Sequence, residues 1–422
     1  AQMTDYTTDQ AEAIGVLDEP LQIIACAGSG KTQVIPQRIA TLLALPGVTP
    51  ANIVAFTFTE KAAAELKERV LGIVEQERGT ATGLAEMFIG TMHAYCLNLL
   101  QSYVPETFKF SVLSETTQRL LIDRYSKRSG LTETPTMSGG TPKLRRYIHS
   151  KLYGQVLSVL AEDDVDLEQV NPAVRRAREA YMTLLGQNAY FDYTSIISLA
   201  VEYLEAEDDD ADAAPLLRHI SEQVRYVVVD EYQDVNPLQE RLIRALTKHG
   251  ANLCVVGDDD QTIYQWRGSA VSNIVTFTDR YEGVRQVTLA NNFRSTKGII
   301  AVGRAIAESI PAPHRLAKEM RGSSHQEWQR GDILAMTHAT AEVEASWICD
   351  RIEALRGVTF RDSPGSAERG LSLSDMAILL RSVARDAGPI VAELDRRGIP
   401  YVVKGLTRLF DAREIAAVSG MF

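Results

Sequence analysis

The chain has 422 residues, 45% of them hydrophobic and 23% charged, with a net charge of −11, which is the make-up of a soluble globular protein with room for two or three domains. The acidic balance argues against a protein that coats nucleic acid electrostatically, though not against a basic groove on an acidic body. Its four cysteines, Cys26, Cys96, Cys254 and Cys349, stand far apart with no CxxC pair, which excludes a zinc ribbon or a disulfide frame and points to reduced thiols in a cytoplasmic protein.

Taken in chain order, "LQIIACA" reads as a short buried strand and "KTQVIPQRIATLLAL" as a helix. "ANIVAFTF" and "TEKAAAELKERVLGIV" repeat the pair. Strands alternating with helices imply a parallel sheet covered on both faces. From about Ala94 to His219 the strand signals fade, and "SETTQRLLIDRYSK", "NPAVRRAREAYMTLLG" and "FDYTSIISLAVEYLEA" are helix-like around the loop "SGLTETPTMSGGTP". The acidic run "EAEDDDADAA" reads as a solvated linker, because like charges in sequence repel one another without an organised cage. The strand–helix rhythm returns at "VRYVVVDEYQD" and "ANLCVVGDDDQ". It continues through "RQVTLANNFRS", "GDILAMTHA", "EVEASWICDRIEAL", "DMAILLRS" and "IPYVVKG". No apolar run reaches membrane-spanning length and no signal-peptide layout opens the chain.

Between the first strand and first helix lies "ACAGSGKT", Ala25, Cys26, Ala27, Gly28, Ser29, Gly30, Lys31 and Thr32. Two glycines let the backbone curl its N–H groups toward phosphate oxygens, and the following helix adds its positive end. Lys31 would reach the outer phosphates and Thr32 would offer a hydroxyl to Mg²⁺. Ala25 stands where the strict pattern has Gly; an extra methyl at the loop entrance is expected to be tolerable. In "YVVVDEYQD" an apolar strand delivers Asp230 and Glu231 at its carboxyl end, the ligand edge of a parallel sheet. Asp230 is expected to hold Mg²⁺ and Glu231 to orient and deprotonate the attacking water. The triplet Asp258 to Asp260 lacks the alternating spacing of a calcium loop and reads as a turn after a strand. In "IYQWRG", Tyr264, Trp266 and Arg267 offer two aromatic faces and a planar cation on which unpaired bases could stack; a core tryptophan is the alternative.

In order and spacing, "ACAGSGKT", "AFTFTEKAAAELKERV", "GTMHAYCLNLL", "VVVDEYQDVNPLQ", "VVGDDDQTIYQWRGS" and "LANNFRST" resemble the superfamily-one DNA helicases of the UvrD/Rep/PcrA group, with the AddA/RecB helicases as close relatives. The resemblance runs from about Thr7 to the last residue. It implies an α/β fold: a RecA-like P-loop motor domain with a parallel sheet, an inserted helical subdomain and a partial second RecA-like domain. The corresponding boundaries are residues 1–93 and 220–283 for the first motor domain, 94–219 for the insertion and 284–422 for the first half of the second. Gln10, which on sequence alone is an ordinary exposed helix residue, sits where the family reads the adenine edge. Gln261 looks like the sensor of the terminal phosphate. Arg294 looks like the arginine placed against that phosphate, and Phe293 stands where the family has a tyrosine against adenine. Arg69 fits either an arginine near the cleft or a surface salt bridge. Phe58 and His93 match positions that line single-stranded DNA, although His93 alone reads as a structural histidine.

The implied activity is ATP-dependent translocation and helicase action on single-stranded or 3′-tailed DNA, 3′ to 5′, with ATP and Mg²⁺, in the cytoplasm, and with a nuclease or repair partner within its compass. A helicase-like subunit that binds DNA or partners without motor action, and a small-molecule kinase, are the competing readings. The family's later threonine–histidine–lysine–glycine motif is not found, the chain starts at Ala1, and "EIAAVSGMF" resembles a helix cut short. The expectation is therefore a fragment of a longer motor that binds nucleotide but hydrolyses it slowly and unwinds poorly.

Overall fold

The computed structural model describes residues 6–79, 83–134, 137–138, 141–142, 144, 146–207, 210–262, 270–311 and 314–404. Two compact units are present: Ala1–Ser295 with Ile300–Ser323, and Thr296–Ile299 with Ser324–Phe422.

The first unit is organised by a six-stranded sheet of β1 (Leu21–Ala25), β2 (Ile53–Phe56), β3 (Phe88–Gly90), β4 (Tyr226–Val229), β5 (Asn252–Gly257) and β6 (Arg285–Leu289), in the order β6-β1-β5-β4-β2-β3. Every pairing is parallel. Side chains alternate between the faces of a strand, and both faces are covered. Ile53, Ala55, Val228, Cys254 and Val256 join Leu21 and Ile23 in one core. Val54, Phe56, Val227, Val229, Leu253 and Val255 join the other. This double burial explains why the strands read as nearly continuous apolar runs.

The first core is closed by α1 (Thr8–Gly15), α2 (Lys31–Ala44) and α3 (Glu60–Arg78), through residues such as Ala13, Val34, Ile39, Leu66 and Val70. Pro36 lies inside α2 and has no N–H to give the Thr32 carbonyl one turn earlier. Arg69 of α3 supplies the missing donor, with Nη1 2.8 Å from Thr32 O. A helix that the proline would otherwise weaken is thereby completed from its neighbour.

The helical region is divided between two cores. α4 (Met92–Tyr103) and the helix Tyr193–Leu204 bury Tyr95, Leu99, Ile196, Ala200 and Leu204 against the sheet. The stretch between them has its own core of Leu113, Ile122, Leu131, Tyr153, Leu157, Ala177, Tyr181 and Leu185. Both ends of the 94–219 stretch thus pack as part of the sheet layer, because their apolar faces are the ones that cover it. The described part of the acidic run is exposed, as a solvated linker should be, with Glu205, Glu207, Asp210 and Asp212 at the surface; Arg241 donates to Glu205 over 2.8 Å at its start.

β6 falls in the stretch expected to open the second domain, yet it pairs with β1 from Leu21↔Arg285 to Ala25↔Leu289. The second unit is simpler. The helices Ala341–Leu355 and Gly388–Arg397 share a core of Ala345, Cys349, Ile390 and Leu394, and Thr359–Phe360 pairs antiparallel with Arg369–Gly370. Arg397 ties the helix pair together through Asp350 and Glu353, and is steadied by Glu393 one turn earlier on its own helix. The expected strands in "GDILAMTHA", "DMAILLRS" and the described part of "IPYVVKG" have no ladder partner among the described residues. Apolar composition can nominate a strand, but only a neighbouring strand can satisfy its backbone. Among the described residues no helix is long and apolar enough to cross a membrane.

Candidate functional site

Because the sheet is parallel, the loops after β1, β2, β3, β4 and β5 emerge on one edge, and this edge gathers the residues nominated from sequence. Ala25 turns out to be the last residue of β1, paired with Leu289 and 3% exposed. Its methyl belongs to the core, which is how the loop tolerates the loss of the pattern's first glycine. The loop that follows bends through Gly28 at φ 69° and Gly30 at φ 84°, conformations that cost an L side chain about 1–2 kcal/mol. Gly30 is also the N-cap of α2 and makes no side-chain cap. The first N–H groups of that helix therefore keep their donors for a ligand. Ser29 Oγ is buried without a hydrogen-bond partner, a further unspent group in the cradle.

Lys31 opens α2 and reaches across to the end of β4. Its Nζ lies 2.5 Å from Glu231 Oε1 and 3.3 Å from Asp230 Oδ1. Burial works against the lysine's charge, but the two carboxylates outweigh it and its pKa is raised. Burial pushes the Asp230 carboxyl up despite Lys31. In Glu231 the burial penalty is overcome by Lys31 and by the Gln233 amide, and the pKa is lowered. Glu231 also takes a positive φ of 53°, unusual for a non-glycine residue. It is held there by Gln233, whose Nε2 donates to Glu231 Oε2 over 2.8 Å and whose Oε1 accepts from the Asp258 N–H over 3.0 Å. Gln233 thereby links the turns after β4 and β5. Gly257 makes room for it, since a Cβ there would lie 2.5 Å from Gln233 Oε1. Sequence reading missed Gln233; its place two residues after the acid pair is the one clue "DEYQD" offered.

Gln10 corrects an expectation. It is 5% exposed rather than a surface residue, and both ends of its amide are engaged. Oε1 accepts from the Thr7 N–H over 3.0 Å, completing a capping box, and Nε2 donates to Ser29 O over 3.0 Å. Arg69 makes no ion pair among the described residues; its guanidinium serves the Thr32 carbonyl beside the cradle. Thr32 itself is exposed.

The segment carrying Phe293 and Arg294 lies directly on the cradle. Asn292 Nδ2 donates to Ala27 O over 2.7 Å and the Phe293 N–H to Gly28 O over 2.9 Å. A Cβ on Gly28 would come within 2.8 Å of Asn292 Oδ1 and 2.9 Å of Arg294 Cβ. The Phe293 ring is 42% exposed, and the Arg294 guanidinium has no ion-pair partner among the described residues.

The aspartate triplet is a turn after β5, as expected, with a 3₁₀ segment over Asp259–Gln261. Its charge is not left to solvent. Lys318, with a side chain 1% exposed, bonds Asp258 Oδ1 at 2.5 Å, approaches Asp260 Oδ2 at 3.3 Å and also pairs with Asp259. Arg315 Nε adds a 2.7 Å bond to Asp260. Gln261 Nε2 donates to the second Asp258 oxygen, Oδ2, over 2.7 Å. Gln261, Cys26, Ala27 and Lys318 share the lining of a cavity of about 200 Å³. Burial keeps the Cys26 thiol protonated, with its pKa pushed up to about 11.

Farther along the edge, a cavity of about 320 Å³ is lined by Phe58, Thr59, Thr91, His93, Tyr193, Asp230 and Gln239, among others. Phe58 is 42% exposed in the loop after β2. His93, in the first turn of α4, stacks obliquely on Tyr193 with ring centroids 5.0 Å apart. Burial lowers the His93 pKa to about 4, so the imidazole is neutral at physiological pH. Tyr193, 60% exposed, went unnoticed in the sequence, although an aromatic residue directly after the N-cap Asp192 cannot easily be buried by its own helix. Tyr264, Trp266 and Arg267 lie outside the described residues. Among the described residues no group of three or more His, Cys, Asp or Glu could hold a metal ion by itself.

Comparison with known proteins agrees with this layout. The family model of the UvrD/REP helicase N-terminal domain matches residues 6–282, and that of the UvrD-like helicase C-terminal domain matches residues 287–418. The ATP-dependent DNA helicase PcrA of Bacillus subtilis (strain 168) is 30% identical over 96% of this chain and 51% of its own length. PcrA of Staphylococcus aureus (strain Mu50 / ATCC 700699) is 28% identical, over 98% of this chain and 53% of its own. The ATP-dependent DNA helicase UvrD1 of Mycobacterium bovis (strain ATCC BAA-935 / AF2122/97) is 31% identical, over 96% and 50%. The chain spans about half the length of the curated relatives it matches.

Proposed function

The chain belongs to the UvrD/REP helicase family, and from that premise we propose that it binds ATP in the Gly28–Thr32 cradle and couples its hydrolysis to 3′-to-5′ movement along single-stranded DNA. The observation that carries the reading is the contact of Lys31 with Asp230 and Glu231. Residues some two hundred positions apart meet where a phosphate chain would need a cation, a metal-holding acid and a base.

The cradle suits a triphosphate: an uncapped helix start, an unpartnered Ser29 hydroxyl and two glycines whose hydrogens let backbone approach. Thr32 and Asp230 would hold Mg²⁺, which binds through few protein groups and completes its shell with phosphate oxygens and water. When bound, the metal supplies charge neutralisation to the phosphates. In the chain itself, Lys31 is now neutralised by carboxylates. As it turns to the phosphates, Glu231 loses the cation that depresses its pKa, and burial makes it a stronger base for the attacking water. Arg294, beside Gly28 and without a competing carboxylate among the described residues, is available to the terminal phosphate, and Phe293 offers a ring for adenine. Gln261 borders the same region as the phosphate sensor.

For DNA, Phe58, His93 and Tyr193 present neutral ring surface around one cavity, suited to stacking bases regardless of sequence, and Tyr264, Trp266 and Arg267 would extend it. Asp230 lines that cavity too, so this carboxylate borders both ligands. The test is ATP hydrolysis with and without oligo-dT, and displacement of a strand from 3′-tailed duplex, with Lys31→Ala as control. Turnover stimulated by oligo-dT and abolished by Lys31→Ala is expected. Turnover indifferent to Lys31→Ala, or stimulated by a small acceptor and not by DNA, overturns the reading.

A further inference from the structure

The buried Lys318 is unexplained by the nucleotide site as described, since its Nζ is directed at aspartates and not at the cradle. Its contacts place it between two parts of that site. One oxygen of Asp258 receives Lys318 and the other receives the Gln261 amide, so a single carboxylate connects the lysine to Gln261. On the other side, the strand after Lys318 is clamped to the segment lying on the cradle. Arg321 and Gly322 pair in parallel with Asn291 and Asn292, the Ser323 N–H donates to Asn292 O over 2.8 Å, and Met320 Sδ accepts from Asn292 Nδ2 at 3.6 Å. Asn292 in turn holds Ala27 O and, through Oδ1, the N–H groups of Arg294 and Ser295. Leu316 N–H donates to Asp259 Oδ2 over 2.8 Å, fixing the approach of the chain to the triplet.

We propose that Lys318 is a positioning residue: by anchoring the Asp258 carboxylate it fixes the Gln261 amide in the cavity shared with Cys26 and Ala27, and ties its position to the strand that carries Asn292 and Arg294. The proposal rests on the nucleotide reading of the site. A free aspartate carboxylate can rotate about its Cα–Cβ and Cβ–Cγ bonds and take Gln261 with it; one pinned by a buried ammonium cannot. Three aspartates in consecutive positions are thus a seat for this lysine, in which Asp258 transmits position while Asp259 and Asp260, with Arg315, hold the seat in place.

Removing the cation alone would leave buried carboxylates unpaired and endanger folding. Two variants of the full chain reduce this cost. K318M/D259N removes the lysine together with one carboxylate that does not touch Gln261, and K318R keeps the charge but changes its reach. Circular-dichroism melts select the variant that folds. Each is made alone and in a Gln261→Ala background, and kcat, KM and ATP affinity are measured with oligo-dT present. We expect kcat to fall by up to about a hundredfold, the scale for a misplaced catalytic group, with ATP affinity changed less than about threefold. In the Gln261→Ala background the same substitution should lower kcat no further, the non-additivity of residues acting as one unit. Full additivity in that cycle, or unchanged kcat in a folded variant, overturns the proposal while leaving the nucleotide reading intact. A parent chain that binds no ATP overturns both.

Discussion

Along the carboxyl edge of the central sheet, the loops after β1, β4 and β5 bond their polar groups to one another, while Phe58 after β2, His93 in α4 and Tyr193 at the start of the helix Tyr193–Leu204 gather aromatic rings around one cavity. On the first side, Lys31, Asp230, Glu231, Gln233, Asp258, Gln261 and Lys318 form contacts spanning nearly three hundred residues of sequence. On the second, Phe58 and Tyr193 are 42% and 60% exposed, and the ring contact of His93 with Tyr193 is the main fixture. The difference follows the ligand each side is proposed to take. A triphosphate has fixed charges at fixed spacing and rewards donors already in place, whereas a strand of any sequence must slide past and rewards flat faces that bind every base.

The comparison is broken most severely at Gly28. Alanine there would force a φ of 69° on an L residue, costing about 1–2 kcal/mol. Its methyl would press on Asn292 and Arg294 Cβ within 2.9 Å, adding the ~1–3 kcal/mol typical of overpacking. The expected outcome is a lower Tm and a large loss of ATP affinity, with oligo-dT affinity in the absence of nucleotide much less affected. Equal losses of both ligands would mean that the two sides are a single site.

The aromatic side predicts a smaller and opposite effect. Tyr193→Ala should weaken oligo-dT binding by about 1–3 kcal/mol, the worth of one stacked base, and Tyr193→Phe should retain most of the affinity because only the ring face is used. Fluorescence anisotropy with labelled oligo-dT measures both. Since burial keeps His93 uncharged down to a pKa of about 4, affinity should not rise as pH is lowered from 8 to 6. An affinity that climbs over that range would show a charged imidazole pairing with phosphate instead of a ring stacking on a base.

What could be read in the sequence divides along the same line. The cradle, the acid pair and the parallel sheet were legible because each is local: a strand, a glycine pair and a helix within a dozen residues. The partners that fix them were not. Lys318 finds its aspartates about sixty positions away, and Arg69 finds a carbonyl left open by Pro36; neither interaction has a local signature. Gln10, on sequence alone an ordinary exposed helix residue, is bound by a loop nineteen residues later, a contact with no local signature. β6 was placed with the second domain since chain order alone does not say which sheet has a free edge. Tyr193 escaped notice because its neighbours describe a core helix, and only the three-dimensional approach of α4 brings His93 to it. Tyr264, Trp266 and Arg267, the plainest aromatic motif in the chain, lie outside the described residues.

The subtlest test concerns the charge balance on the buried side. Asp234 lies in the turn after β4, 8% exposed, with Oδ1 lacking a hydrogen-bond partner. Burial first, and the nearby Glu231 second, push its pKa up to about 6, with Lys31 pulling it down. A carboxyl whose folded pKa lies above its unfolded value of about 3.9 binds its proton more tightly when folded. Its stabilising effect is therefore greatest at low pH, is lost as pH rises from about 4 to about 6, and changes no further above that. Asp234→Asn removes the titration but keeps the shape. The Tm difference, variant minus parent, should increase from pH 4 to pH 6 and then level off. In a Lys31→Ala background the cation that restrains Asp234 is gone, so the levelling should move to higher pH. A difference that is flat across the range would mean that Asp234 titrates alike in both states, and one that levels at the same pH with and without Lys31 would place the lysine's field elsewhere than on this turn.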